Sequence, residues 1–163
     1  MKTDKHITAV DISRDLTLLL RKRFPNAYKD IDITEGFDRP CMTMEVGTII
    51  ASAHNEGYQL DRIPFTIYYF ATDRDNNYLD LLQTQAKLRQ MLEAPLLLGG
   101  SYLYPMDGVE FYLVKSDGAL TAQLEYELRQ PRPVEESWEP MHPDIPLNEE
   151  PMEELYIEND LNN

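Results

Sequence analysis

The sequence predicts an α+β domain, a mostly antiparallel sheet with two helices in the order α-β-β-β-α-β-β-β, followed by an extended acidic C-terminal tail. Three observations lead there. Apolar residues recur at helical spacing in two separate stretches, they alternate in the stretches between and after them, and acids and prolines crowd the chain past residue 130. At 163 residues the chain has the length of one ordinary domain with a short extension.

Residues 4–24 read as the first helix. Ile12, Leu16, Leu19, Leu20 and Phe24 form its apolar stripe, and Ile7 and Val10 extend it upstream. Asp4 is the expected cap, Arg21, Lys22 and Arg23 suit the carbonyl end, and Pro25 stops the helix. A short strand is expected at 28–33 and a second at 41–50, where Met42, Met44 and Val46 alternate with Thr43 and Glu45. Residues 51–57 form the loop between strands. The third strand, 58–70, is apolar on both faces: Ile63, Phe65, Ile67 and Tyr69 on one, Thr66, Tyr68 and Phe70 on the other. It should be a central strand covered on both sides, with Pro64 marking a bulge or unpaired edge near its start.

Residues 75–93 return to helical spacing through Tyr78, Leu81, Leu82, Leu88 and Leu92. A meander of three strands follows at 96–105 (kinked at Gly99-Gly100), 109–115 and 119–129. Asp107-Gly108 and Asp117-Gly118 supply its turns. In the last strand Leu120, Ala122, Leu124, Tyr126 and Leu128 face inward.

Charge divides the chain into a domain of residues 1–130 and a tail of 131–163. The formal net charge is −14, and the tail carries −9 of it: one base, Arg132, against ten acids, with six of the eleven prolines. Like charges and fixed φ angles leave such a segment unable to build its own core. Its apolar residues, Trp138 and the group Met152, Leu155, Tyr156 and Ile157, read as anchors for another surface.

Catalytic chemistry finds little support. His6, His54 and His142 are far apart and lack metal-site spacing. Cys41, the single cysteine, reads as a small buried apolar residue and excludes an internal disulfide. The glycines do not form a phosphate loop. Asp73, Asp75 and Asp80 fit the helix dipole without an acid–base role. No long apolar run predicts a membrane span, and charges break up the first residues, unlike a signal peptide. No enzymatic activity, cofactor or metal is therefore expected. A pI near 4.5 opposes non-specific binding to nucleic acid.

The segments LLLRKRFPNAY, ITEG, RPCMTMEV, RIPFTIYYF, YLDLLQTQAKLRQML and ALTAQLEYELR, in that order, resemble phage tail terminator proteins of Gram-positive phages and defective prophages. The resemblance spans residues 6–130. It implies a structural virion protein: a homo-oligomeric, six-fold ring that caps the tail tube, ends its polymerisation and joins tail to head. The implied partners are the tail tube protein, the sheath where the tail contracts, and the head–tail connector or neck proteins. In the domain, Ser52, Asn55 and Gly57 of the 51–57 loop are the expected contacts to a neighbouring subunit or the tail tube. DNA would pass without specific binding, no membrane is involved, and assembly would occur in the bacterial host cytoplasm. A different class also fits the charge, an acidic DNA mimic that inhibits a nucleic-acid-binding enzyme. A mimic would stay monomeric or dimeric, whereas a terminator would form rings or join tail tubes.

Overall fold

In the computed structural model, which describes residues 6–133, the α+β class and the alternation of helices with strands follow the sequence reading. The first helix, α1, spans Ala9–Arg23 and begins later than expected. The Thr8 backbone N–H and hydroxyl both donate to the Asp11 carboxylate (3.0 and 3.1 Å), which fixes the first turn. Asp4 lies outside the described residues. Ile12, Leu16 and Leu20 are buried on one face. Val10 falls off that stripe and is 65% exposed.

The strand expected at 28–33 does not form. One parallel bridge joins Tyr28 to Met42, and the chain then makes a 3-10 turn at Ile33–Glu35. Asp32 captures this segment by accepting from the Thr34 N–H and hydroxyl (2.9 and 2.6 Å). Such a local bond competes with strand pairing.

β1 (Cys41–Val46) and β2 (Ile50–Ala53) replace the single strand expected at 41–50, and both lie antiparallel on the same edge of β3 (Tyr58–Phe70). Val46 faces Phe65 and Ile50 faces Arg62, so three edge residues oppose two of β3. The break falls beside Pro64. Gly47 N–H donates to Pro64 O (2.9 Å), and the proline has no N–H to continue that ladder. A Cβ on Gly47 would lie 3.0 Å from Pro64 Cγ, so a glycine relieves the approach. The irregularity is thus in the partner strand, at the middle of β3. β2 also takes up part of the expected loop, leaving a turn over residues 54–57.

α2 spans Tyr78–Leu92. It starts three residues late because Asp73 accepts from the N–H groups of Asp75 and Asn76 (2.8 and 3.1 Å), forming a separate turn. Leu81, Leu88 and Leu92 are buried as expected, with Thr84 and Met91. Tyr78 and Leu82 instead face outward.

The kinked strand expected at 96–105 is a two-residue hairpin, β4 (Leu96–Leu98) and β5 (Ser101–Leu103), in a sheet of its own. Gly99 and Gly100 have φ of 57° and 82°, which the turn requires. β6 (Pro105–Val114) and β7 (Ala119–Pro131) complete the main sheet. Asp107-Gly108 does not join strands. Both residues have positive φ and form a bulge inside β6, between Met106 opposite Glu125 and Val109 opposite Leu124. Asp117-Gly118 does make the expected turn, with Gly118 left-handed.

The main sheet runs from β1 and β2 on one edge through β3 and β7 to β6 on the other, all antiparallel. Ile63, Phe65, Ile67 and Tyr69 pack with Leu120, Ala122, Leu124, Tyr126 and Leu128 and with both helices in one core. β3 is central, but among the described residues it is covered on one face only. The opposite face is closed at its Phe70 end by Phe37 and Arg39, and the rest is partly exposed.

Candidate assembly surfaces

The segment Arg39-Pro40-Cys41 has a structural task. The Arg39 guanidinium donates to Ala71 O (3.1 Å), Gly118 O (3.4 Å) and Asp117 O (2.8 Å), and it lies over the Phe37 and Phe70 rings. Its planar fork suits several carbonyls at once. Asn77, almost fully buried, ties the same corner by donating to Arg74 O and Lys115 O. A Cβ on Gly118 would meet Arg39 and Asn77 nitrogens at 3.0 and 3.1 Å. Cys41 sits at this closed end with no exposure, and burial pushes its thiol pKa up, away from thiolate chemistry.

The carboxylates beside α2 organise the fold. Asp80 accepts from the Tyr69 hydroxyl (2.8 Å) and Thr72 N–H (3.2 Å). Burial, then the bond to Asp80, holds the Tyr69 hydroxyl pKa up at about 12. Backbone donors from Asp75 and Asn76 lower the Asp73 carboxyl pKa. His6 and His54 lie far apart in the chain, and His142 is outside the described residues. Among the described residues, no group of three or more His, Cys, Asp or Glu side chains forms a metal cage.

The half-open face is polar. By register, Glu45, Thr66, Gln123 and Glu110 form one row across the sheet, and Thr43, Tyr68, Thr121 and Tyr112 form the next. Burial and Glu45 raise the Tyr68 hydroxyl pKa, and a hydrogen bond to Glu110 raises that of Tyr112. The sheet edges differ from this face. Among the described residues, β6 pairs only with β7, and it exposes Tyr112, Leu113 and Val114. β2 pairs only with β3 among the described residues, and all four of its residues are exposed. Unpaired strand edges recruit further strands.

Ser52, Asn55 and Gly57, the candidates from the sequence, come together at the β2 end of the sheet. The Ser52 hydroxyl donates to Leu60 O (3.0 Å), and Asn55 Oδ1 accepts from Gly57 N–H and Tyr58 N–H (both 2.9 Å). Gly57 O accepts from Arg132 N–H (3.0 Å). Their polar groups therefore shape the turn, and the strand edge beside them is what faces outward. Trp138, Met152, Leu155, Tyr156 and Ile157 lie outside the described residues.

Several exposed apolar residues escaped the sequence reading. Ile49 precedes β2 and Ile50 opens it, and Leu97, Tyr102 and Tyr104 belong to or follow the β4–β5 hairpin. The run Leu96-Leu97-Leu98 held a signal: alternation in a strand forces one of three leucines outward.

No curated protein matches the chain. The family model described as phage tail terminator protein matches residues 11–137. That match takes in α1 from its third residue, all of α2, the whole main sheet and the first residues beyond it. Matched over residues 11–137, most of its length, this chain belongs to the phage tail terminator protein family.

Proposed function

We propose that the protein forms a closed ring, six-fold in symmetry, which caps the tail tube, ends its polymerisation and joins the tail to the head through neck proteins. The role is structural, with no catalytic step and no cofactor. The observation that carries this reading is a pair of unlike sheet edges left open among the described residues, β2 on one side and β6 on the other. Contacts between unlike surfaces are heterologous, and they close into a ring when the rotation per subunit allows it. The partners are further copies of the chain, the tube protein, the sheath in a contractile tail, and the connector. The net charge of −14 and the carboxylates of the half-open face favour passage of DNA without a grip on its phosphates. Assembly belongs to the host cytoplasm and the finished ring to the virion.

Negative-stain imaging of particles made with and without the protein tests the proposal. Without it, tubes should vary in length and fail to carry heads. Tails of normal length joined to heads in its absence would overturn the reading. A monomer that binds a DNA-processing enzyme and never associates with tails would favour the DNA mimic instead.

A further inference from the structure

We infer that the β2 edge receives the acidic tail of a second copy of this chain, through the proline-free run that contains Met152, Leu155, Tyr156 and Ile157. The inference rests on the ring reading, because it needs copies held side by side.

The β2 edge adjoins a patch that is both apolar and basic. Register places Ile50 beside Arg62, Ser52 beside Leu60, Leu60 beside Arg129, and Tyr58 beside Pro131, all on the half-open face. Ile49, Ile50 and Tyr58 are 45%, 57% and 43% exposed. The Arg129 guanidinium lies over the Tyr58 ring, 5.7 Å from its centroid. Arg132 follows, anchored by its N–H on Gly57 O. Among the described residues, ion pairing in this patch is limited to Arg62 with Glu127 (3.4 Å). The patch thus joins Arg62 and Arg129, with Arg132 next in the chain, to exposed apolar side chains and a strand edge left open among the described residues.

Residues 134–163 have the complementary chemistry: ten acids, no lysine or arginine, and apolar residues that include Trp138, Leu155, Tyr156 and Ile157. The last proline is Pro151, so residues 152–157 retain every backbone N–H needed to add a strand. Glu153, Glu154 and Glu158 flank the apolar group and suit Arg62, Arg129 and Arg132. Direction favours a neighbour's edge over the chain's own. β7 ends at Pro131 opposite Tyr58, and Arg132 bonds Gly57, whereas the patch extends back toward Ile50. A tail returning to its own β2 would have to reverse. The spacer of residues 133–151 reaches about 60 Å when extended, enough to cross to an adjoining copy.

Hydrogen exchange on the full chain tests this, at increasing protein concentration and in isolated tails. Amides of 50–53 and of 152–157 should gain protection together as copies associate. The full-chain double variant Arg129→Glu, Arg132→Glu should keep the melt of the domain but lower both protections by about tenfold. Protection of 152–157 that is independent of concentration would mean docking within one chain and overturn the assignment. Protection of 50–53 alone would give the edge to another occupant. Equal protection in the variant, or exposed 152–157 in assembled tails, would also overturn it. Imaging of the same samples judges the ring separately, since rings with exposed tails defeat this inference and leave the ring intact.

Discussion

Tyr126 sets its ring in the core, edge-on to Phe65 at 6.0 Å between centroids, and among the described residues its buried hydroxyl has no hydrogen-bond partner. Burial alone pushes its pKa upward. A desolvated, unpaired hydroxyl costs stability, while the ring keeps its packing without it. Tyr126→Phe should therefore stabilise the domain by about 1 kcal/mol, read as a higher Tm. A lower Tm would reveal a partner for the hydroxyl. Gln130 shows the opposite case at the end of β7. Its side chain accepts from Ile7 N–H (3.0 Å) and donates to Ile7 O (2.6 Å), so one residue ties the segment before α1 to the last strand.

Among the elements, β6 is the longest of the edge strands that carry exposed apolar residues. Tyr112 and Val114 face outward on an edge strand and contribute little to the core. Lysine on such an edge discourages strand addition without disturbing the fold. Tyr112→Lys with Val114→Lys should leave the melt within about 0.5 kcal/mol of the parent while reducing incorporation into tails. Normal incorporation, measured on purified particles, would remove the β6 edge from the assembly. The bulge at Asp107-Gly108 interrupts this edge at its start, which limits any added strand to the run from Val109 to Val114.

For the whole molecule, pH and length are the informative variables. Tyr69 is only 5% exposed, and burial with the bond to Asp80 pushes its hydroxyl pKa up from the ordinary 10.0 to about 12. Between those values the folded state holds the proton and the unfolded chain has lost it. Stability from this group is complete below 10.0 and falls as pH rises toward about 12. The loss is on the order of 2 kcal/mol, and Tyr69→Phe should flatten that alkaline limb of the melt. An unchanged limb would show that Tyr69 does not set it. We also propose that the domain folds without its tail. β7 runs to Pro131 and Arg132 bonds Gly57, so a chain ended after Pro133 keeps every described strand. It should melt in one cooperative transition, and a broad, non-cooperative melt would show that the tail is needed.

Residue order alone made much of the fold legible. Helical spacing marked Leu16, Leu20, Leu81 and Leu88 as buried, and alternation gave β3 its bounds and β7 its inward face, because those periods belong to the chain itself. The segments resembling tail terminators likewise agree with the family match. What the sequence left open depended on neighbours. Asp32 diverts residues 28–33 from pairing only because Thr34 reaches its carboxylate, and the strand at 41–50 breaks only because Pro64 lies beside it. Asp107-Gly108 looked like a turn, but β7 continues past it and makes it a bulge. The outward faces of Ile50, Tyr112 and Leu97 follow from which strands pair and which surface the helices cover, and only tertiary packing decides that.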